Sequence, residues 1–240
     1  LVDPETDTSS VVGDEALLLA RIAPTVVARN RILGAAFAKA KGAGIVVMDD
    51  GLHNAMLAKD FTLAVIDGRR GIGNGCVFPA GPLRAPLAAQ LKHCDALLVI
   101  GDDIRAGDVT AQAGVLPVFH GRLTPRPDAV ALLRARKVLA FAGIGDPDKF
   151  FATVEQAGIG IGARRAFADH HRFSAEEAAE LVMAAEHGVL TLLTTEKEHA
   201  RMASDPALAA LASQTKVLPV ALDVDKGAAL RALVLGKLRQ

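Results

Sequence analysis

Four apolar residues followed by two carboxylates, Ile45-Val46-Val47-Met48-Asp49-Asp50, then Gly51, form the sharpest local feature of the sequence. The run reads as a buried strand with an acidic pair at its carboxyl end, the edge where ligands bind in open α/β sheets. In enzymes that handle nucleoside triphosphates, an aspartate at that position holds Mg²⁺, which neutralises phosphate charge during transfer. The same residues also suit a plain turn, with Asp49 as cap and Gly51 supplying a positive φ. A second carboxylate, Asp14, stands in Val11-Val12-Gly13-Asp14-Glu15 ahead of the helical pattern Leu17-Leu18-Leu19. It can cap that helix, with Glu15 in the first turn where the helix dipole favours it. Alternatively it projects into a cleft as general base for a hydroxyl nucleophile. Asp169-His170-His171 offers a base partner, a metal ligand or an exposed loop, and no second cluster at ligand spacing supports the metal.

Glycine turns and arginines supply the remaining candidates. Gly71-Ile72-Gly73-Asn74-Gly75, Gly143-Ile144-Gly145 and Gly158-Ile159-Gly160-Ile161-Gly162 each read as a tight turn. The middle one has half of a dinucleotide fingerprint, but no third glycine at the right offset and no acidic residue closing the next strand. Arg69 and Arg70 adjoin the first turn, Arg84 ends Pro79-Ala80-Gly81-Pro82-Leu83-Arg84, and Arg29 and Arg31 follow an apolar run. Guanidinium forks at the carboxyl edge of a sheet suit phosphate, and solvated loop arginine is the plainer reading of any single one.

The elements that must position these groups follow from the alternation of apolar runs and alanine-rich amphipathic stretches. Strands are expected at 24–28, 44–49, 62–67, 95–101, 137–142, 189–194 and 216–221, and helices at 14–22, 32–41, 148–156, 175–186 and 207–213. The strands are continuously apolar, as when both faces of a parallel sheet are covered, so the fold class is α/β with a mostly parallel sheet. Residues 116–136 hold Pro117, Pro125 and Pro127 and break the rhythm, with 117–123 an extended strand lacking a companion helix. The expected division is a first α/β layer over 1–114, a connector over 115–136 and a second, smaller α/β domain over 137–240. With 240 residues the chain can bury roughly 70–75% of its unfolded surface without a metal or disulfide staple. Its 27 basic and 27 acidic residues cancel, which argues against a general nucleic-acid binder. Cys76 and Cys94 form no CxxC pair, so zinc is disfavoured and a reducing compartment is the plain reading. No apolar run approaches the about 18–20 residues of a membrane-spanning helix.

Seven strings occur in order: Val-Gly-Asp-Glu (12–15), Met-Asp-Asp-Gly-Leu (48–52), Asp-Gly-Arg-Arg-Gly-Ile-Gly-Asn-Gly (67–75), Pro-Ala-Gly-Pro-Leu-Arg (79–84), Phe-Ala-Gly-Ile-Gly-Asp-Pro-Asp-Lys-Phe-Phe (141–151), Asp-His-His (169–171) and Thr-Thr-Glu-Lys (194–197). Together they resemble the tetraacyldisaccharide 4′-kinases, the lipid A 4′-kinases of Gram-negative bacteria, over nearly the whole chain. The resemblance implies a P-loop kinase core and a second α/β domain joined by a β hinge, working at the cytoplasmic face of the inner membrane. It implies ATP- and Mg²⁺-dependent phosphorylation of the 4′-hydroxyl of an acylated glucosamine disaccharide 1-phosphate. Asp14 would be the catalytic base with His170 as partner, Asp49 and Asp50 would serve the metal, and Arg84, Arg31, Arg69 and Asn74 would meet phosphate or substrate. The chain departs from the family's pattern at Ala16, Ala85, Leu52-His53-Asn54 and Glu198. No G-x-x-x-x-G-K-[ST] phosphate loop occurs in it, nor the family's membrane-associated N-terminal helix. The expectation is therefore the body of a longer kinase, inactive alone, that meets the membrane through a missing N-terminal segment. The rival from another class is a non-catalytic nucleotide- or sugar-phosphate-binding module using Gly143–Gly145 and the loop arginines.

Overall fold

Apolar runs covered on both faces become the inner strands of two largely parallel sheets. In the computed structural model, which describes residues 1–238, the chain opens with helices α1 (Ser9–Val12), α2 (Asp14–Ala20) and α3 (Arg31–Ala40). Strands and helices then alternate through β1 (Leu63–Asp67), α4 (Leu87–Leu91), β2 (Ala96–Ile100), α5 (Gly107–Gln112), β3 (Val118–Pro125), α6 (Pro127–Leu133), β4 (Lys137–Ala142) and α7 (Pro147–Gln156). They continue through β5 (Gly160–Ala166), α8 (Ala175–Gly188), β6 (Thr191–Thr194), α9 (Glu196–Ala203), α10 (Ala209–Gln214), β7 (Lys216–Val217), β8 (Val220–Val224) and α11 (Gly227–Leu238).

Two compact units result. One combines Leu1–Arg29 with Pro125–Ala221; the other combines Asn30–Thr124 with the described residues from Leu222 on. The contiguous division read from the sequence differs from this, because the first 29 residues pack with the later half of the chain. Within the expected connector, 115–136, the extended strand is β3, which pairs in parallel with β2 and lies between β2 and β8, and the chain passes from one unit to the other between Thr124 and Pro125.

In the first unit the sheet order is β5-β4-β6-β7, all parallel. Side chains of β4 alternate faces, as a strand's must. Val138, Ala140 and Ala142 pack with Phe150, Phe151 and Val154 of α7, while Leu139 and Phe141 pack with Leu181 and Ala185 of α8 and Met202 of α9. In the second unit the order is β1-β2-β3-β8. There Leu97 and Val99 of β2 join Leu91 and Val109, and Ala96 and Leu98 face Leu230 and Leu233 of α11.

Two expected strands are irregular. Residues 24–28 and 44–49 belong to neither sheet, and Val47 is 90% exposed. An isolated strand leaves its backbone groups without a ladder, and no described strand pairs with either run. The buried strand expected to carry Asp49 and Asp50 is thus a mostly exposed segment outside both sheets. Asp50, not Gly51, takes the left-handed φ of the turn (51°), which a short polar side chain tolerates. The reverse case lies in 158–162, expected as a glycine turn, of which Gly160, Ile161 and Gly162 instead begin β5. Only Gly158, at φ 76°, serves the turn after α7, and Arg164 and Arg165 place charge on that edge strand.

Phe141 is fully buried, with its ring edge-on to Phe173 at 5.8 Å between centroids. Phe141→Ala is expected to cost about 3–5 kcal/mol of stability, read as a lowered urea midpoint.

Candidate active site

Asp14 is the first residue of α2, after Gly13, which occupies the cap position at φ 90°. It therefore does not cap the helix from outside; its Oδ1 instead accepts the N–H of Glu15 (3.0 Å). This leaves Oδ2 facing a cleft of about 440 Å³ in the first unit, bordered among others by Ser9, His170, Arg172, Arg201 and Asp205. Nη2 of Arg201 donates to Oδ2 at 2.7 Å, and Nδ1 of His170 lies 3.9 Å from the same oxygen.

The loop after β5 brings His170 there. His170 has left-handed backbone (φ 57°), and its N–H donates to the carbonyl of Gly143 at the end of β4 (3.1 Å). The ring is 62% exposed and stands between Asp14 and Asp169, with Nε2 3.9 Å from Asp169 Oδ1. His171 does different work: its ring stacks on Phe167, meets Phe173 edge-on, and lies 2.9 Å from Glu177 Oε2. Glu177 also closes a capping box with Ser174 at the start of α8, so one carboxylate fixes both the helix entry and the loop. The Ser174 backbone N–H and the His171 ring hold the Glu177 carboxyl below its ordinary range.

Helix α9 supplies the rest. Thr195 caps it by accepting the N–H of Glu198, and Glu198, Arg201 and Met202 share one face. The Glu198 side chain is 0% exposed. Its Oε2 accepts the Gly143 N–H at 2.6 Å, and its Oε1 lies 2.7 Å from Arg201 Nη1. That Nη1 aims its hydrogen bond at the His171 carbonyl (2.8 Å), so charge rather than a directed bond holds Oε1. Lys197 pairs with Glu15 at 2.9 Å.

Partial burial pushes the Asp14 carboxyl up. The Arg201 hydrogen bond, the Lys197 and Arg201 charges and the Glu15 N–H outweigh it, so the group lies below the usual carboxylate range and is ionised at neutral pH. Burial pushes Glu198 up, opposed by Arg201, Gly143 and His171. Because Gly143 spends its N–H on Glu198, and a Cβ there would lie 2.9 Å from Glu198 Oε2, the 143–145 turn is a packing element of this site rather than a phosphate cradle.

A family profile described as tetraacyldisaccharide-1-P 4′-kinase matches residues 1–239. The chain belongs to that family. A tetraacyldisaccharide 4′-kinase of Rhodopseudomonas palustris (strain BisB5) is 50% identical over 242 residues, covering 100% of this chain and 71% of the relative. One from Nitrobacter winogradskyi is 48% identical over 236 residues, covering 98% and 70%. In fold, the chain resembles a crystal structure of LpxK from Aquifex aeolicus in complex with ATP, with a TM-score of 0.67 at 21% identity, covering 97% of this chain and 71% of that one.

Of the kinase residues expected from sequence, the structure brings Asp14 and His170 together. Arg31, Asp49, Asp50, Arg69, Asn74 and Arg84 all belong to the other unit. Arg31 opens α3 behind its Asn30 cap, and the Arg69 N–H donates to Asp67. Asn74 spends its amide on its own loop, donating to Ala80 O (2.8 Å) and accepting from Cys76 N (3.1 Å). Asp49, Asp50 and Arg84 are exposed. Sequence reasoning assigned no site role to Arg201 or to Glu198, the latter noted only as a departure from the family's pattern just past the Thr-Thr-Glu-Lys string.

Ser174→Ala removes the capping box and loosens Glu177 from His171. It is expected to lower stability by about 1 kcal/mol in denaturant titration.

Proposed function

We propose that Asp14 is the general base, and His170 its partner, in the ATP-dependent phosphorylation of the 4′-hydroxyl of tetraacyldisaccharide 1-phosphate in lipid A synthesis. The activity is that of the family to which the chain belongs. The observation that carries the residue assignment is the Asp14 carboxylate, held ionised by Arg201, with the His170 ring at 3.9 Å beside a cleft. Phosphoryl transfer passes through a loose transition state in which positioning and charge matter more than covalent help. The nucleophile's proton then leaves late, so a weak base suffices if it is ionised and in place. The 4′-oxygen forms its bond to the γ-phosphorus as the bridging bond to ADP breaks, and Asp14 Oδ2 takes the hydroxyl proton. His170, half in solvent, steers that carboxylate and passes the proton on to water.

Asp49 and Asp50 are assigned to Mg²⁺. No group of three or more potential ligands gathers among the described residues. Two exposed carboxylates nonetheless suit an ion that is usually held by one or two such groups plus phosphate oxygens and water. When bound, Mg²⁺ would neutralise the β- and γ-phosphates. Arg84, Arg31 and Arg69 are assigned to phosphate recognition, for which their forks are suited, while Asn74 shapes the loop that ends at Arg84. No helix among the described residues is long and apolar enough to cross a membrane. A four-chain acyl acceptor resides in a bilayer, so the reaction is assigned to a membrane surface, the cytoplasmic face of the inner membrane.

In the full gene product, with labelled ATP and the disaccharide 1-phosphate, Asp14→Ala is expected to lower kcat 10²–10⁴-fold with little change in KM. Retention of more than about a tenth of the rate would remove Asp14 from the role. Chelation with EDTA is expected to abolish turnover and added Mg²⁺ to restore it. Asp49→Ala should raise the Mg²⁺ concentration needed for half-maximal rate.

A further inference from the structure

One face of α9 controls the geometry of the Asp14–His170 pair without belonging to it. The Arg201 guanidinium is 11% exposed and spans two partners, Asp14 Oδ2 through Nη2 and the His171 carbonyl through Nη1. One planar, rigid group therefore ties the base directly to the loop that bears its partner. Behind it, Glu198 takes the Gly143 N–H, and the Gly143 carbonyl takes the His170 N–H. The contacts close a circuit from Asp14 through Arg201, Glu198 and Gly143 to His170, and back across 3.9 Å to Asp14. Burying a carboxylate costs free energy unless it is paired, and replacing such a pair with apolar side chains is often neutral or stabilising. Core filling therefore gives no reason for charge at 198 and 201.

We propose that Arg201 and Glu198 are positioning residues that brace Asp14 and His170 against each other for the transfer step, an inference that rests on the reading of Asp14 as the base. The brace has two separable parts. The Arg201 charge favours the ionised form of Asp14, and its fork fixes where the carboxylate points. The charged groups facing Asp14 are Arg201, Lys197 and Glu198 on α9, Glu15 beside it and His170 on the loop. Arg172 and Asp205 border the same cleft.

The test uses the full gene product with Arg201→Lys, Arg201→Gln and Glu198→Gln, each alone and in an Asp14→Ala background. The readouts are kcat, both KM values, the pH–rate profile and the thermal midpoint. Arg201→Lys keeps the charge and loses the fork. Its kcat should fall about 10–100-fold, the scale of an ångström's misplacement, with both KM values within about twofold and the acid limb unmoved. Arg201→Gln should show the same loss and also move the acid limb to higher pH, because a carboxylate without its cation is protonated more easily. Glu198→Gln still accepts from Gly143 but no longer anchors the cation, and should lose about tenfold in kcat. In the Asp14→Ala background, measured by single turnover, each change should cost less than about twofold more, since residues acting through Asp14 cannot add to its loss. Arg201→Lys within about twofold of wild-type kcat, or an equal loss in both backgrounds, overturns the proposal. If Arg201→Gln does not fold, the Arg201→Lys cycle alone decides. A nearly full rate for Asp14→Ala by itself overturns the base assignment instead, and so identifies which of the two ideas failed.

Discussion

A carboxylate with no contact with water must find its partners inside the protein, and Glu198 finds two that matter. Through the Gly143 N–H it pins the end of β4, one of the two inner strands of its sheet, and through Arg201 it pins the start of α2. The element that begins near residue 14 and the loop near residue 170 are thereby referred to the same buried charge. The aromatic stack of Phe167, His171 and Phe173, tied to α8 by Glu177, stiffens the loop from its other side. The chemistry assigned to Asp14 depends on this electrostatic knot more than on any feature of Asp14 itself. An aspartate at a helix start is commonplace; one held by a buried guanidinium is not.

The fold shows which sequence signals are strong. The runs at 95–101 and 137–142 were readable as inner strands because residues 96–100 and 138–142 each have apolar partners on one face or the other. The runs at 24–28 and 44–49 are as apolar, yet neither pairs with a described strand. Local composition states a preference, and only a neighbour satisfies it. The stretch 158–162 fails in the opposite sense: its glycines suggested a turn, but Leu190 packs close against Gly162, and residues from Gly160 on form a strand through their pairing with β4. The division into units was equally hidden, since residues 1–29 reach their packing partners more than a hundred positions away.

Site residues divide along the same line. Asp14 and His170 were candidates from residue type and local pattern, with cap and surface loop as their alternatives, and the structure places His170 Nδ1 3.9 Å from Asp14 Oδ2. Glu198 and Arg201 were not legible. A Glu and an Arg three apart on a polar helix read as a solvated surface pair, worth a few tenths of a kcal/mol. What makes them an interior pair is the sheet edge and the α2 start that close over them, and no local window contains that fact. The Gly143 turn likewise looked like half a cofactor motif until its N–H proved to be engaged by Glu198.

The left-handed backbone at His170 carries a consequence for how the site can vary. Side chains branched at Cβ resist that conformation, whereas asparagine and glycine enter it readily. Replacement at this position is therefore filtered twice, once by what the ring does for the neighbouring carboxylate and once by what the main chain will accept. A valine there would add backbone strain of the kind the chain already carries at Val189 (φ 52°), while an asparagine would remove the imidazole with less cost to the main chain.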